Sequence, residues 1–203
     1  MSEPPGEDRV LTLPNVITVV RLGLLPVFIW LLLGRHERYA AAWVLAVMGS
    51  TDWVDGYLAR HLHQVSTVGK ILDPIADRLL LIGGVGAILI DGSVPAWVAA
   101  VALGREAIVA ATVLTLAALG AARIDVTWWG KAGTFGLMIA FPLFLVGHST
   151  ASWHRIGGDA AWVAAVPGMV FGVYSLILYI PLARQALAEG RRARQSATAA
   201  VGP

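Results

Sequence analysis

The chain has 203 residues, of which 57% are hydrophobic and 14% are charged, whereas a soluble domain usually carries about 25% charged residues. Cysteine is absent, which excludes disulfides, thiolate chemistry and zinc sites built on cysteine. The formal net charge is only +2, and a small excess of this kind does not indicate a nucleic-acid partner. These numbers favour a membrane protein.

Six segments are long and apolar enough to cross a bilayer, which takes about 20 residues. They are residues 14–34, 39–60, 67–90, 94–120, 130–147 and 160–184. Short polar joints separate them, so the sequence predicts an all-α, polytopic membrane protein with six transmembrane helices. The predicted organisation is an interfacial lead-in over 1–13, a six-helix domain over 14–185 and a basic cytoplasmic tail over 186–203.

Positive charges are distributed unevenly between the two ends of the predicted helices. With both termini inside, the inner side carries Arg9, Arg60, Lys70, Arg123, Lys131, Arg184, Arg191, Arg192 and Arg194, and the outer side carries Arg35, Arg38 and Arg155. Cytoplasmic loops of membrane proteins are enriched in Lys and Arg. The sequence therefore predicts an N-in, C-in, multi-pass protein of the cell membrane, with the joint between the second and third helices facing the cytoplasm.

A cluster of acidic residues lies in the second and third predicted helices. The pattern D-x2-D-G-x2-A-R-x8-G-x3-D-x3-D runs from Asp52 to Asp77. Ionisable residues at membrane depth are costly and persist where they pair, bind metal or line a polar cavity. The helical spacing puts the acids of each helix on one face, and four converging acids would repel each other unless a divalent cation bound them. The motif predicts a metal site that acts on a charged, phosphorylated substrate.

This motif matches the signature of the CDP-alcohol phosphatidyltransferase family at every fixed position. The segment Pro14-Asn15-Val16-Ile17-Thr18 is similar to a start that is common in the family. The chain resembles phosphatidylglycerophosphate synthases and actinobacterial cardiolipin synthases of class I. The resemblance implies an enzyme of phospholipid biosynthesis that moves a phosphatidyl group from CDP-diacylglycerol to an alcohol, releases CMP, uses two Mg²⁺ or Mn²⁺ ions, and forms a homodimer.

The resemblance also implies roles for individual residues. The two metal ions would be held by Asp52, Asp55, Asp73 and Asp77. Asp77 would also be the general base that takes the proton of the acceptor hydroxyl. CDP-diacylglycerol would be bound by Asn15, Thr18, Gly56, Arg60 and Ser66. Arg21 and Arg78 lie in apolar helices, and we expect each either to pair with an acid or to contact the substrate.

The acceptor alcohol is the open question. Arg105 and Lys131 are similar to the elements of phosphatidylglycerophosphate synthases that bind glycerol 3-phosphate, and this acceptor is ranked first. Those enzymes often carry a second Lys at the position of Gly133. Its absence leaves phosphatidylglycerol, with cardiolipin as the product, as the alternative. An inositol-phosphate acceptor is ranked third.

Two functions of other classes also suit a membrane protein that carries a cluster of acidic residues. An intramembrane prenyltransferase usually carries two separate Asp-rich motifs, whereas the second half of this chain has only isolated residues such as Asp125 and Asp159. A cation carrier is expected to show broken helices in both halves and internal symmetry, and the sequence shows neither. Both functions are therefore ranked below phosphatidyl transfer.

Overall fold

The computed structural model describes the backbone of residues 13–62, 67–121 and 127–200, and their side chains except those of 13–14, 52–75, 191, 193–194 and 196–200. The regular structure of these residues is helical. The helices are α1 (Leu13–Ile29), α2 (Arg38–Leu62), α3 (Thr67–Asp91), α4 (Ala96–Ala118), α5 (Trp128–Gly147) and α6 (His154–Ala200). A π-helical segment, Trp30–Gly34, continues α1. The predicted all-α class is confirmed.

Four stretches of the described residues are long and apolar enough to cross a membrane. They are Asn15–Gly34, Ala96–Ala118, Trp128–Gly147 and His154–Gly190. Large apolar side chains also face outward, since Val19, Ile90 and Val163 are 58%, 76% and 75% exposed, and extensive exposed apolar surface is typical of membrane contact. The chain is therefore a membrane protein. Six spans stay a prediction, since α2 and α3 are not among these four stretches, and the N-in, C-in orientation also stays a prediction.

Helix α6 differs most from its predicted extent. The sequence predicts a helix over 160–184 followed by a basic tail, whereas α6 runs from His154 to Ala200 and contains Pro167 and Pro181. The segment after residue 184 is rich in Ala, Arg and Gln, which are good helix formers. The helix therefore continues where the apolar run stops, because hydropathy reports the membrane span and not the whole helix.

The described chain groups into two compact units. The first comprises residues up to Ala99 together with Met138–Val163, and the second comprises Ala100–Leu137 and the residues from Ala164 onward. Within the first unit α1 contacts both α2 and α3, and its fully buried side chains include Phe28, Leu32 and Ile88. The predicted single domain over 14–185 stays a prediction, and the predicted lead-in lies almost wholly outside the described residues.

A buried ion pair in the first unit joins the start of α2 to the end of α3. Arg38 Nε donates to Asp91 Oδ2 at 2.8 Å, and the Asp91 side chain is only 2% exposed. The hydroxyl of Ser93 donates to the same oxygen, and Arg38 Nη1 donates to the carbonyl of His148 at 3.4 Å. A buried carboxylate is stable only when such partners replace water. This pair therefore has a structural role at the helix ends.

Candidate active site

Helix α1 presents a buried polar face in its first half. Asn15, Thr18 and Arg21 are 6%, 1% and 5% exposed, while Val16 and Val20 are 43% and 56% exposed. The three polar residues follow one another at spacings of three residues, which puts them along one stripe of the helix. Apolar side chains face outward and polar ones face inward, the reverse of a soluble helix. The predicted donor-binding residues Asn15 and Thr18 therefore lie on a polar interior face.

Arg21 connects this face to the acid motif. Its Nη1 donates to Oδ1 of Asp77 at 3.2 Å. The arginine side chain is 6% exposed, whereas the aspartate side chain is 55% exposed. The sequence allows Arg21 to pair with an acid or to contact the substrate, and the structure shows the pairing. The predicted site residues omit Arg21, although its spacing from Asn15 and Thr18 on an apolar helix is a signal in the sequence.

The remaining acids are placed by the backbone. Helix α2 carries Asp52 and Asp55, and α3 carries Asp73 and Asp77. Spacings of three and four residues put the two acids of each pair about one turn apart on the same helix face. The side chains of Asp52, Asp55, Gly56, Arg60 and Asp73 lie outside the described side chains, and Ser66 lies outside the described residues. The predicted roles of these residues stay predictions.

The chemistry of the motif suits a hard divalent cation. Carboxylate oxygens are preferred ligands of Mg²⁺ and Mn²⁺, and the motif supplies four carboxylates. The two helices that carry them both contact α1. The carboxylate of Asp77 is more than half exposed, so it is accessible to a ligand while Arg21 holds one of its oxygens. The residues present therefore fit a divalent metal centre.

A separate polar cluster lies in the second unit, at the first turn of α5. Arg105 Nη1 donates to Glu106 Oε2 and to Thr134 Oγ1, both at 3.0 Å, and Nη2 donates to the carbonyl of Gly130 at 3.2 Å. The arginine side chain is 10% exposed. A Cβ at Gly130 would lie 2.9 Å from Arg105 Nη2, so a larger residue would displace the guanidinium. Arg105 therefore fastens the first turn of α5 to α4.

The same turn presents a cation to solvent. Thr127 caps α5, since its Oγ1 accepts a hydrogen bond from the N–H of Gly130 at 3.2 Å. Lys131 follows directly and is exposed. The N-terminus of a helix attracts anions through its free N–H groups and its dipole. The structure thus brings the guanidinium of Arg105 against the first turn of α5, at Gly130, which is the residue before Lys131.

Gly133, one turn into α5, lies against the backbone of α6. A Cβ at this position would lie 2.6 Å from the nitrogen of Gly172 and 2.9 Å from the carbonyl oxygen of Gly168. Small residues allow helix backbones to approach closely in membrane proteins. Any side chain at position 133 would collide with α6. A second lysine at position 133 therefore has no room against the α6 backbone as it lies in this structure.

The family model described as CDP-alcohol phosphatidyltransferase matches residues 11–180. This chain belongs to the CDP-alcohol phosphatidyltransferase family. The resemblance predicted from the motif is confirmed, and the protein is a phosphotransferase enzyme whose family depends in general on divalent metal ions.

Individual relatives of this CDP-alcohol phosphatidyltransferase differ in how much of the chain they match. A cardiolipin synthase (CMP-forming) from Streptomyces coelicolor is 38% identical over 177 residues, which cover 85% of this chain and 79% of the relative. A CDP-diacylglycerol–glycerol-3-phosphate 3-phosphatidyltransferase from Bacillus subtilis is 35% identical over 148 residues, covering 66% of this chain and 76% of the relative. The protein of the same name from Pseudomonas fluorescens is 38% identical over 142 residues, covering 66% and 72%.

Proposed function

We propose that this enzyme transfers the phosphatidyl group of CDP-diacylglycerol to phosphatidylglycerol, which gives cardiolipin and CMP. The observation that carries this choice of acceptor is the contact of Gly133 with α6, because it leaves Lys131 without a second lysine on the first turns of α5. A phosphodiester acceptor with one negative charge needs fewer cations than a phosphate monoester. The relative named as a cardiolipin synthase also matches more of the chain, 85% against 66%.

Glycerol 3-phosphate, which the sequence alone ranks first, is the second candidate. It is favoured by the exposed Lys131 on a helix turn that Arg105 holds in place, because a phosphate monoester binds well to a lysine at a helix N-terminus. Relatives named for this acceptor also match the chain. An inositol phosphate also carries a phosphate monoester and would need the same cationic contact. It is ranked third. Membership of the family gives no support to a prenyltransferase or a cation carrier.

The reaction is a substitution at phosphorus. The acceptor hydroxyl oxygen forms a bond to the phosphorus of the phosphatidyl group, the bond from that phosphorus to the bridging oxygen of the diphosphate breaks, and CMP leaves with the bridging oxygen. The hydroxyl proton passes to the carboxylate of Asp77. When bound, two Mg²⁺ or Mn²⁺ ions neutralise the diphosphate and the charge on the leaving phosphate. The residues proposed to hold them are Asp52, Asp55, Asp73 and Asp77.

The donor is proposed to bind along α1 and α2. Asn15 and Thr18 lie on the buried polar face of α1, where they can hydrogen-bond a polar headgroup. Arg60 has the planar fork that binds phosphate in a bidentate manner, and Gly56 leaves space for a ligand next to the backbone of α2. Ser66 completes the proposed set. Lys131, with Arg105 behind it, is proposed to recognise the acceptor.

The cellular setting follows the same family relationship. We expect a multi-pass protein of the cell membrane whose active site faces the cytoplasm and whose chains form a homodimer. The exposed Arg192 near the end of α6 agrees with a cytoplasmic C-terminus, since positive charge is concentrated on that side. Accessibility of a cysteine introduced at position 192 to an impermeant thiol reagent, in intact cells and in inverted vesicles, tests the orientation.

A transfer assay with one acceptor at a time tests the proposal. The purified enzyme in detergent is given CDP-diacylglycerol, Mg²⁺ and either phosphatidylglycerol or glycerol 3-phosphate, and CMP release and the lipid product are measured. We expect cardiolipin from phosphatidylglycerol and little turnover of glycerol 3-phosphate. Formation of phosphatidylglycerophosphate as the main product would reject the cardiolipin assignment and support the second candidate.

Lys131→Ala is expected to raise the KM for the acceptor by about tenfold with kcat little changed, because loss of one charge-assisted contact costs about 1.5 kcal/mol or more. Steady-state kinetics with the acceptor varied at saturating CDP-diacylglycerol measure this effect. The matched control is Arg192→Ala, which removes an exposed cation in the same unit and should leave KM unchanged. An unaltered KM in the Lys131 variant would remove this residue from acceptor recognition.

Removal of divalent metal is expected to stop the reaction completely. Excess EDTA should abolish CMP release, and added Mg²⁺ or Mn²⁺ should restore it, because four carboxylates cannot neutralise a diphosphate without cations. Ca²⁺, which is larger and binds with more flexible geometry, is the matched control and should restore less activity. Turnover that continues in EDTA would contradict the metal centre proposed for Asp52, Asp55, Asp73 and Asp77.

A further inference from the structure

Among the described side chains of the first unit are two arginine–aspartate pairs of opposite design. In the pair Arg38–Asp91 the acid is buried at 2% exposure and the arginine is 34% exposed. In the pair Arg21–Asp77 the arginine is buried at 6% and the acid is 55% exposed. The first pair hides its carboxylate, as a structural pair does. The second pair buries its arginine and leaves its carboxylate accessible.

An exposed carboxylate on a helix has several side-chain rotamers of similar energy, and its position is therefore poorly defined unless a partner holds it. A group that accepts a proton during a reaction must be held close to the productive geometry, and a misplacement of about 1 Å can cost about a hundredfold in rate. The guanidinium of Arg21 donates to one oxygen of Asp77 from a neighbouring helix. The contact is made by Nη1, and the planar, rigid guanidinium holds this nitrogen in a fixed direction.

The contact between Arg21 and Asp77 has a second consequence, which follows from the position of Arg21 on α1. Arg21 lies on the same buried stripe as Asn15 and Thr18, which are proposed to bind the donor. A helix is rigid over two turns, so a residue at its middle moves together with those at its start. The orientation of the Asp77 carboxylate is thereby tied to the helix that contacts the donor.

We propose that Arg21 is a positioning residue that orients the carboxylate of Asp77 for proton transfer from the acceptor hydroxyl. The inference rests on the proposed function, in which Asp77 is the base. Arg21 acts through Asp77 and not on the substrate. Its loss should therefore lower kcat and leave the binding of CDP-diacylglycerol intact.

The variants Arg21→Gln and Arg21→Lys test this role. Arg21→Gln is expected to lower kcat by about tenfold to a hundredfold, with the KM for CDP-diacylglycerol changed by less than about threefold. Arg21→Lys keeps the charge but not the fork, and should recover part of the lost kcat. The matched control is Arg38→Gln, which breaks the other pair and should lower the Tm while leaving kcat unchanged.

Two results would overturn the proposal. If Arg21→Gln lowers the Tm as Arg38→Gln does but keeps the kcat of the unmodified enzyme, Arg21 is a structural residue only. If Arg21→Gln raises the KM for CDP-diacylglycerol and spares kcat, Arg21 contacts the donor. If the glutamine variant does not fold, the same comparison of kcat and KM is made on Arg21→Lys, for which an unchanged kcat and KM would likewise overturn the role.

A measurement without turnover separates this inference from the proposed function. Thermal unfolding in EDTA is recorded for the unmodified enzyme, Arg21→Gln, Asp77→Ala, which removes the oxygen that Arg21 contacts, and the double variant. If the two residues form a pair, their effects on the Tm should not add, because contacting residues give a coupling in a double-mutant cycle. Additive effects would overturn the pairing whatever the acceptor is. Coupling together with no transfer to any tested alcohol would instead reject the proposed function, and with it the role in proton transfer.

Discussion

Replacing Asp77 by Asn is expected to lower the rate of phosphatidyl transfer by about a hundredfold to ten thousandfold, the range that a general base contributes. Asparagine has nearly the same shape and still offers Arg21 an oxygen to which Nη1 can donate, but it cannot accept the proton of the acceptor hydroxyl. CMP release with each acceptor, under the same conditions as for the unmodified enzyme, measures the loss.

Binding and stability measurements show whether Asp77→Asn loses activity through loss of the base, of donor binding or of folding. Asp77→Asn should retain most of the affinity for CDP-diacylglycerol and a Tm close to that of the unmodified enzyme. Asp159→Asn, an exposed acid of α6 in the same unit, is the matched control and should keep full activity. Full activity of Asp77→Asn would remove the residue from the base role. A variant that fails to bind CDP-diacylglycerol would show that Asp77 serves donor binding instead.

The fold could be predicted from the sequence to the extent that hydropathy and helix propensity agree. The predicted spans 67–90 and 130–147 differ from α3 and α5 by at most two residues at either end, because apolar runs there are bounded by polar joints. For α6 the two properties separate after residue 184, where the chain is polar but still favours helix. Hydropathy could not reveal that continuation.

The site was predictable in composition but not in its cross-helix contacts. Spacing alone puts Asp73 and Asp77 on one face of α3. One partner of Asp77 is Arg21, 56 residues away in sequence, and this contact depends on how α1 is rotated against α3. In the same way, Arg105 reaches Thr134 across 29 residues. A pattern in one segment defines the face of a helix, and only tertiary packing decides what that face meets.

At Gly133, too, the sequence alone is insufficient. The sequence shows that a lysine is missing at this position, and the structure shows that the backbone of α6 leaves no space for a side chain there. The neighbouring Gly136 is also pressed against α6, since its Cβ would lie 2.9 Å from the Cα of Gly168. The atoms in the way belong to backbone, which cannot rotate aside as a side chain can. In the proposed function, acceptor choice and helix packing are therefore linked at position 133.

Gly133→Ala is accordingly expected to destabilise the protein strongly. Its Cβ would lie 2.6 Å from a backbone nitrogen of α6, so α5 and α6 must separate, and overpacking of this kind costs about 1–3 kcal/mol or more. Thermal unfolding in detergent measures the effect. Gly104→Ala is the matched control, because a Cβ there meets nothing within 4 Å, and it should be neutral or stabilising by up to about 1 kcal/mol. Equal Tm values for the two variants would contradict the close contact.

Gly133→Lys extends this prediction to the acceptor. A lysine at this position should not create activity with glycerol 3-phosphate, because its stem would have to pass through the contact with Gly172. The expected result is a lower Tm than that of Gly133→Ala and loss of transfer to every acceptor. A variant that folds and turns over glycerol 3-phosphate faster than the unmodified enzyme would mean that position 133 selects the acceptor by charge and that α6 yields to admit it.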